Sequence, residues 1–309
     1  MKKRFVGIVA VVAALALSVG VLAGCSSSSS GSAASASGSA ASASASASAS
    51  ASASAASGAV FRTLDQIKAD GTIRIGVFSD KNPFGYVDEN GEYAGYDVEL
   101  ANRLVEDLGV KVEYVSTEAA NRVEYLETGK VDIILANFTV TDERAQKVDF
   151  AEPYMNVALG VVSPSDKVIK DLSEIGANDK VIVITGTTAE TYLTKNYPNI
   201  KLQKFETYAN AKTAFENREG VAWANDNTEV IAFANGATGY TVGIEELGDL
   251  DTIAPAVSKG NTTLLNWINE DMKKLGAEKF FHAAYEKTLA DVYGADYEDT
   301  LVVEPGQAK

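Results

Sequence analysis

The sequence predicts an α/β protein folded as two successive lobes. Three observations carry that prediction. From Val60 onward, short apolar strand-like runs alternate with stretches of helical periodicity. The alternation occurs in two separate units. Two apolar segments, Val157–Val162 and Thr252–Val257, stand where the chain would pass from one unit to the other and back.

Each element follows from local chemistry. Thr63 and Gln66 have capping-box spacing for a short opening helix, which Gly71 ends. Thr72–Phe78 reads as a strand, and Asn90-Gly91 within Gly85–Tyr96 is a hairpin turn signal. Apolar residues at 98, 101, 104, 105 and 108 stripe one face of a helix over Asp97–Leu108. Val110–Val115 is a strand, Ala119–Thr128 a helix, Val131–Leu135 a buried strand and Asp142–Lys147 a short helix. The second unit repeats the pattern: strands at Val181–Ile184, Lys201–Phe205 and Val221–Ala224, helices at Thr188–Asn196, Ala209–Asn217 and Thr228–Ala234. Two amphipathic helices, Thr262–Leu275 and Lys279–Leu289, close the chain. Parallel sheets of this kind place ligands at the carboxyl ends of their strands, here in a cleft between the lobes.

The front end differs from the rest. Lys2, Lys3 and Arg4 precede an apolar run from Phe5 to about Ala23, the pattern of a secretory signal. The same length could span a bilayer. The run ends at Leu22-Ala23-Gly24-Cys25, which resembles the lipobox of bacterial lipoproteins, in which cleavage before the cysteine is followed by lipidation. Residues 1–24 are therefore expected to be a signal peptide and Cys25 the lipidated residue. Residues 26–58 contain only Ser, Ala and Gly. That composition cannot bury a core and predicts a flexible tether, reaching about 30 Å from the membrane for a random coil of this length.

Composition excludes some functions. The formal net charge of −15 repels phosphate backbones and argues against nucleic-acid binding. A single cysteine rules out an intrachain disulfide, and with one histidine it rules out a Cys/His zinc site. His282, in FFHAAYEK, reads as a boundary residue of an amphipathic helix. The sequence has no Gly-rich phosphate loop and no G-x-S-x-G elbow, so a non-catalytic protein without metal or cofactor is expected.

Several motifs together resemble a known family. They are Gly76 with Pro83-Phe84-Gly85-Tyr86, Gly95-Tyr96-Asp97-Val98-Glu99-Leu100, Gly129-Lys130-Val131-Asp132-Ile133-Ile134, Thr139-Val140-Thr141-Asp142-Glu143-Arg144, Asp149-Phe150-Ala151-Glu152-Pro153-Tyr154, Gly186-Thr187-Thr188 and Asn225-Asp226. In this order they resemble the polar amino-acid solute-binding proteins of ABC importers over about residues 60–290. The segments SDKNPFGYVDENG, AANRVEYL, VDIILANFTVTDER and GTTAETYLTKNYP are similar to the cysteine-binding members of that family.

The resemblance implies a two-lobed periplasmic-binding-protein-like fold (Venus flytrap, type II) with two crossover strands. One lobe would comprise residues 59–161 and 256–309, the other 162–255. It implies a monomer that captures a small amino acid outside the cytoplasm and delivers it to an ABC transporter permease. L-cysteine is the first-choice ligand, with glutamate, aspartate and cystine as alternatives. Some relatives are cyclohexadienyl dehydratases; a dehydratase would need a carboxylate acid or base, for which Glu118 and Glu152 are the candidates. A sensor domain on the same fold is a third class.

An amino acid brings a carboxylate and an ammonium, and each must be paired when removed from water. By the resemblance, Arg144 binds the carboxylate through its guanidinium fork. The structural alternative is a surface arginine paired with Asp142 or Glu143. Asp226 binds the ammonium by family position, with Asn225 beside it; the alternative is a helix N-cap. Thr188 is expected to touch the carboxylate from the second lobe. Thr187, at capping-box distance from Glu190, has a capping alternative. Asn137 and Thr139 supply first-lobe contacts or form an ordinary strand-end loop. Phe78, Lys81, Phe84 and Arg122 are candidates for the side-chain pocket, Arg122 having the alternative of pairing with Glu118. Many relatives place an aromatic residue where Lys81 stands, which argues against a bulky cationic ligand here.

Overall fold

The computed structural model describes residues 60–307. The signal, the tether and Cys25 lie outside the described residues. The first lobe opens with α1 (Leu64–Asp70), β1 (Thr72–Val77), β2 (Asp80–Lys81), β3 (Gly85–Val87), β4 (Tyr93–Ala94) and α2 (Tyr96–Leu108). β5 (Lys111–Ser116), α3 (Arg122–Glu127), β6 (Ile133–Ile134), α4 (Asp142–Ala145) and β7 (Val148–Phe150) follow. The long β8 (Met155–Pro164) leads to β9 (Lys180–Ile184), α5 (Thr188–Asn196), β10 (Lys201–Phe205), α6 (Tyr208–Glu216), β11 (Ala222–Asp226) and α7 (Asn227–Gly236). β12 (Tyr240–Ile253) returns to β13 (Ala256–Ser258), and α8 (Thr262–Ala277), α9 (Phe280–Thr288), α10 (Ala290–Tyr293) and α11 (Glu298–Leu301) complete the chain.

Two five-stranded sheets result, in the orders β5-β1-β6-β13-β7 and β10-β9-β11-β8-β12. β1 runs parallel to β5 and β6, and β9 runs parallel to β10 and β11. β13 pairs antiparallel with β6 and β7, while β8 pairs antiparallel with β11 and β12. The chain therefore crosses between the sheets along an antiparallel ribbon, β8 outward and β12 back. Its root in the first lobe is fixed by pairing of Ile253 with Met155 and by a bridge between Ile253 and Thr139.

The expected local signals operate as read. Thr63 and Gln66 form a complete capping box, and Gly71 closes α1 in the left-handed region. Val98, Ala101, Leu104 and Leu108 are buried along α2. Each lobe has its own aromatic core: Tyr96, Tyr154 and Phe281 in the first, Phe215, Trp223, Phe233 and Tyr240 in the second. The Glu304 carboxylate accepts from the His282 backbone N–H at 3.1 Å and lies 2.6 Å from the ring Nδ1.

The main departure from expectation is β12. The sequence reading assigned a strand only to Thr252–Val257, whereas the ribbon runs from Tyr240 to Ile253 and breaks before Ala256. Gly243, Gly248, Glu245, Glu246, Asp249 and Asp251 give this stretch the composition of an acidic loop. It forms a strand because β8 offers an unpaired edge, and it follows that edge with three register shifts. As an edge strand it tolerates charge on its solvent face.

Candidate functional site

The cleft is built at the carboxyl ends of parallel strands. Phe78 follows β1, Asn137–Thr139 follow β6, Gly186 follows β9 and Asp226 ends β11. A concavity of about 740 Å³ between the lobes is lined by Ala119, Phe138, Arg144, Leu159, Gly186 and Thr188, among others.

Arg144 reaches this cleft because Thr141 starts α4. The Thr141 hydroxyl accepts from the Arg144 N–H at 3.2 Å, setting the side chain one turn in. The residue as a whole is partly buried. Nη1 donates to the Thr139 carbonyl at 2.7 Å and Nη2 donates across the cleft to the Gly186 carbonyl at 3.0 Å. Its carbon lies 4.8 Å from the Phe138 ring centroid. Arg122, 3% exposed, donates to the carbonyls of Ala119, Ala136, Asn137 and Gly186 and stacks 4.5 Å from the same ring. Neither arginine has a carboxylate within 4.0 Å among the described residues. Burial, and then the Arg122 charge, push the Arg144 pKa down to about 9; burial lowers that of Arg122 as well. Two guanidiniums converging on neutral acceptors form a site that an anion would relieve.

The opposite charge stands across the same turn. Asp226 occupies the N-cap position of α7, yet its side chain makes no capping hydrogen bond. One carboxylate oxygen accepts from the Lys81 ammonium at 3.1 Å and the other from the Thr188 hydroxyl at 3.5 Å. Asn225 is fully buried, and its side-chain oxygen accepts from the Asp226 N–H at 2.9 Å, fixing the aspartate's backbone.

Lys81 also donates to the Asn137 side-chain oxygen at 2.5 Å. Burial opposes its charge, and Tyr208, Asp226 and Glu229 more than offset this, so its pKa lies above the usual lysine value. Asn137 sits at φ +44°, held there by a hydrogen bond from its N–H to the Asp97 carboxylate at 2.8 Å. Asp97 accepts a second bond from the Tyr154 hydroxyl at 2.6 Å, and burial raises its pKa to about 7.

The structure thus brings Lys81, Arg122, Asn137, Thr139, Arg144, Thr188 and Asp226 together around the Gly186–Thr188 turn. Phe84 lies behind Lys81, its ring centroid 5.3 Å from Nζ. The Thr187 hydroxyl is committed locally: it donates to the Ile184 carbonyl at 2.7 Å and accepts from the Glu190 N–H at 3.3 Å. The Glu190 carboxylate bonds the Gly186 N–H rather than that of Thr187, so only half of the capping box forms. Arg122 does not pair with Glu118, which accepts from Asn121 instead. Glu152 pairs with Lys273 on the first lobe. Sequence reasoning assigned no role to Phe138, the platform for both guanidiniums, or to Asp97, the anchor of Asn137. Phe138 lies inside the quoted motif, but nothing in one sequence separates a platform from a core residue. Among the described residues no group of three His, Cys, Asp or Glu side chains is placed to hold a metal.

Glu229 borders the site from α7. It is 7% exposed, one carboxylate oxygen has no hydrogen-bond partner, and burial raises its pKa to about 7. A carboxyl whose folded pKa is raised stabilises the fold below its unfolded value, and that contribution is lost as pH rises through the folded value. Glu229→Gln is therefore expected to flatten the decline in stability between about pH 4.5 and pH 7. Denaturant unfolding at several pH values checks this; parallel curves for the two proteins would refute it.

A two-lobed α/β clamp with opposed charges lining its cleft is the architecture of a solute-binding protein. The chain belongs to the bacterial extracellular solute-binding proteins, family 3, whose model matches residues 73–291. It is similar to the crystal structure of a solute receptor for L-cysteine from Neisseria gonorrhoeae, with 50% identity, TM-score 0.77, 79% of this chain and 100% of that chain covered. The cysteine-binding protein of Campylobacter jejuni is 48% identical, TM-score 0.76, with 78% and 98% covered. The ABC transporter glutamine-binding protein of Bacillus subtilis is 28% identical over 233 residues, 74% of this chain and 85% of that protein.

Proposed function

We propose that the protein is a lipid-anchored, extracytoplasmic receptor that closes on L-cysteine and delivers it to an ABC transporter permease. The observation that carries the amino-acid reading is the pair of arginines with no carboxylate within 4.0 Å among the described residues, set across one turn from Asp226. A zwitterion satisfies both ends: its carboxylate takes the guanidinium fork of Arg144 with help from Thr188, and its ammonium shares Asp226. Because Arg144 and Asp226 belong to different lobes, one ligand stabilises the closed form through differential affinity. The lobes divide as residues 59–161 with 256–309 and residues 162–255. The protein acts as a monomer without a cofactor, anchored through Cys25.

L-cysteine is favoured because the two solved cysteine-binding relatives are about half identical to this chain. The buried positive charges of Lys81 and Arg122 beside the cleft keep glutamate, aspartate and cystine as the competing ligands. A dehydratase is disfavoured because Glu118 and Glu152 are engaged elsewhere and neither borders the interlobe concavity.

Calorimetry of the purified protein against the twenty amino acids and cystine, under reducing conditions except for cystine, tests the proposal. One L-cysteine per chain is expected, bound more tightly than glutamate, aspartate or cystine. Heat from none of them defeats the amino-acid reading, and preference for another defeats the cysteine assignment alone.

A further inference from the structure

A second concavity, of about 390 Å³, opens between β2, α6, α7 and α10. It shares no lining residue with the larger concavity beside Arg144. Asp80, Glu229 and Asp291 line it against one cation, Lys212, so its wall carries an excess of negative charge. Acidic walls are common on so acidic a chain, but Glu229 is unlike the others. It is 7% exposed, and one of its carboxylate oxygens is buried without a hydrogen-bond donor. Burial disfavours its charge, Asp226 and Asp80 repel it, and Lys81 and Lys212 do not make up the difference. A buried carboxyl short of donors is unfavourable, and a donor placed in the adjoining space would relieve it. Elsewhere the wall is apolar, where Ala232, Phe233 and Val292 face the concavity.

We propose that this concavity is a second binding site, separate from the amino-acid cleft, that takes a primary alkylammonium with Glu229 as its acceptor. The chemical class follows from the wall. An ammonium carries N–H donors for a carboxylate that lacks them, and a charge opposite to that of the lining. A short alkyl tail covers the apolar side and leaves water with the ammonium's escort of hydrogen bonds replaced by those of the carboxylate. An anion would meet the carboxylates as like charges. A bare metal ion is not suited, because among the described residues no group of three His, Cys, Asp or Glu side chains is placed to hold one. Lys212 is exposed, so its ammonium can withdraw into solvent when a ligand enters. The site does not depend on which amino acid the other cleft holds.

The test compares the full chain with Glu229→Gln at about pH 8, above the Glu229 pKa of about 7, so that the carboxyl is ionised. The probes are n-butylammonium, tetramethylammonium at the same ionic strength, and 1-butanol. The unfolding temperature of the wild type is expected to rise saturably with n-butylammonium. Tetramethylammonium has the charge without an N–H, and 1-butanol has the tail without the charge, so neither should reproduce the rise. Glu229→Gln keeps the size of the side chain and removes its charge, and it is expected to bind n-butylammonium about tenfold or more weakly. The variant exchanges a buried charge for a neutral amide, so its fold should survive. A crystal structure grown with n-butylammonium locates the amine directly, with its nitrogen expected within hydrogen-bond distance of the Glu229 carboxylate. No response to n-butylammonium, or an equal response to tetramethylammonium, overturns the site. An unchanged affinity in Glu229→Gln overturns it as well, as does an amine found only beside Asp226 in the other cleft.

Discussion

Replacing Arg144 with alanine is expected to abolish ligand binding while leaving the unliganded protein at least as stable. The two effects have one cause. Among the described residues the guanidinium donates to the carbonyls of Thr139 and Gly186, and burial beside Arg122 pushes its pKa down to about 9. Removing it relieves a charge that burial and Arg122 disfavour more than Asp226 and Asp251 favour it, and costs two hydrogen bonds to neutral acceptors. In the complex the same group would make a bidentate pair with the ligand carboxylate, and truncating one partner of such a pair costs about 2–5 kcal/mol, or roughly 30- to 5,000-fold in affinity. Calorimetry and thermal unfolding of the same preparation check both halves. Unchanged affinity would remove Arg144 from the site, and a melting temperature several degrees lower would show that the residue is structural. Arg144→Lys should bind weakly, because a point charge cannot reproduce the fork.

The second large effect is expected from Gly186→Ala. Gly186 adopts φ +81°, which favours glycine, and its carbonyl receives both arginines from the opposite lobe. A Cβ there would lie 2.5 Å from the Ala120 Cα and 2.7 Å from its nitrogen, both backbone atoms of the first lobe. Backbone cannot swing aside as a side-chain tip can, so the lobes must separate to admit the methyl group. The substitution is expected to hold the protein open and weaken ligand binding by at least tenfold. Strain at a positive φ adds a loss of about 1 kcal/mol in stability. Small-angle scattering with saturating ligand would reveal the open form as a larger radius of gyration. Full compaction with unchanged affinity would contradict the clash.

Much of the architecture was legible in the residues. Periodicity located the helices, and capping chemistry located the starts at Thr63 and Thr187, whose hydroxyls accept from the third residue onward. Those signals are local, acting within one turn of chain. β12 was not legible beyond its end, because its strand character comes from the free edge of β8 and not from its own glycines and carboxylates. The site was legible as a set of residue types in a family pattern. The choice between alternatives was not: Asp226 has N-cap position without N-cap bonding, and Thr187 caps while Thr188 turns to Asp226.

By itself the sequence determined that this is a two-unit α/β chain, and the family resemblance nominated Arg144 and Asp226 for its cleft, with Lys81 among the pocket candidates. Composition, period and motif order are properties of the chain and survive without coordinates. Only the tertiary structure decided that Phe138 carries both guanidiniums, that Gly186 receives them across the cleft, and that Lys81 is buried against Asp226. The relations that cross the cleft join residues 42 to 145 positions apart. At such separations no local propensity acts, and partners are chosen by which strand ends the two sheets bring face to face.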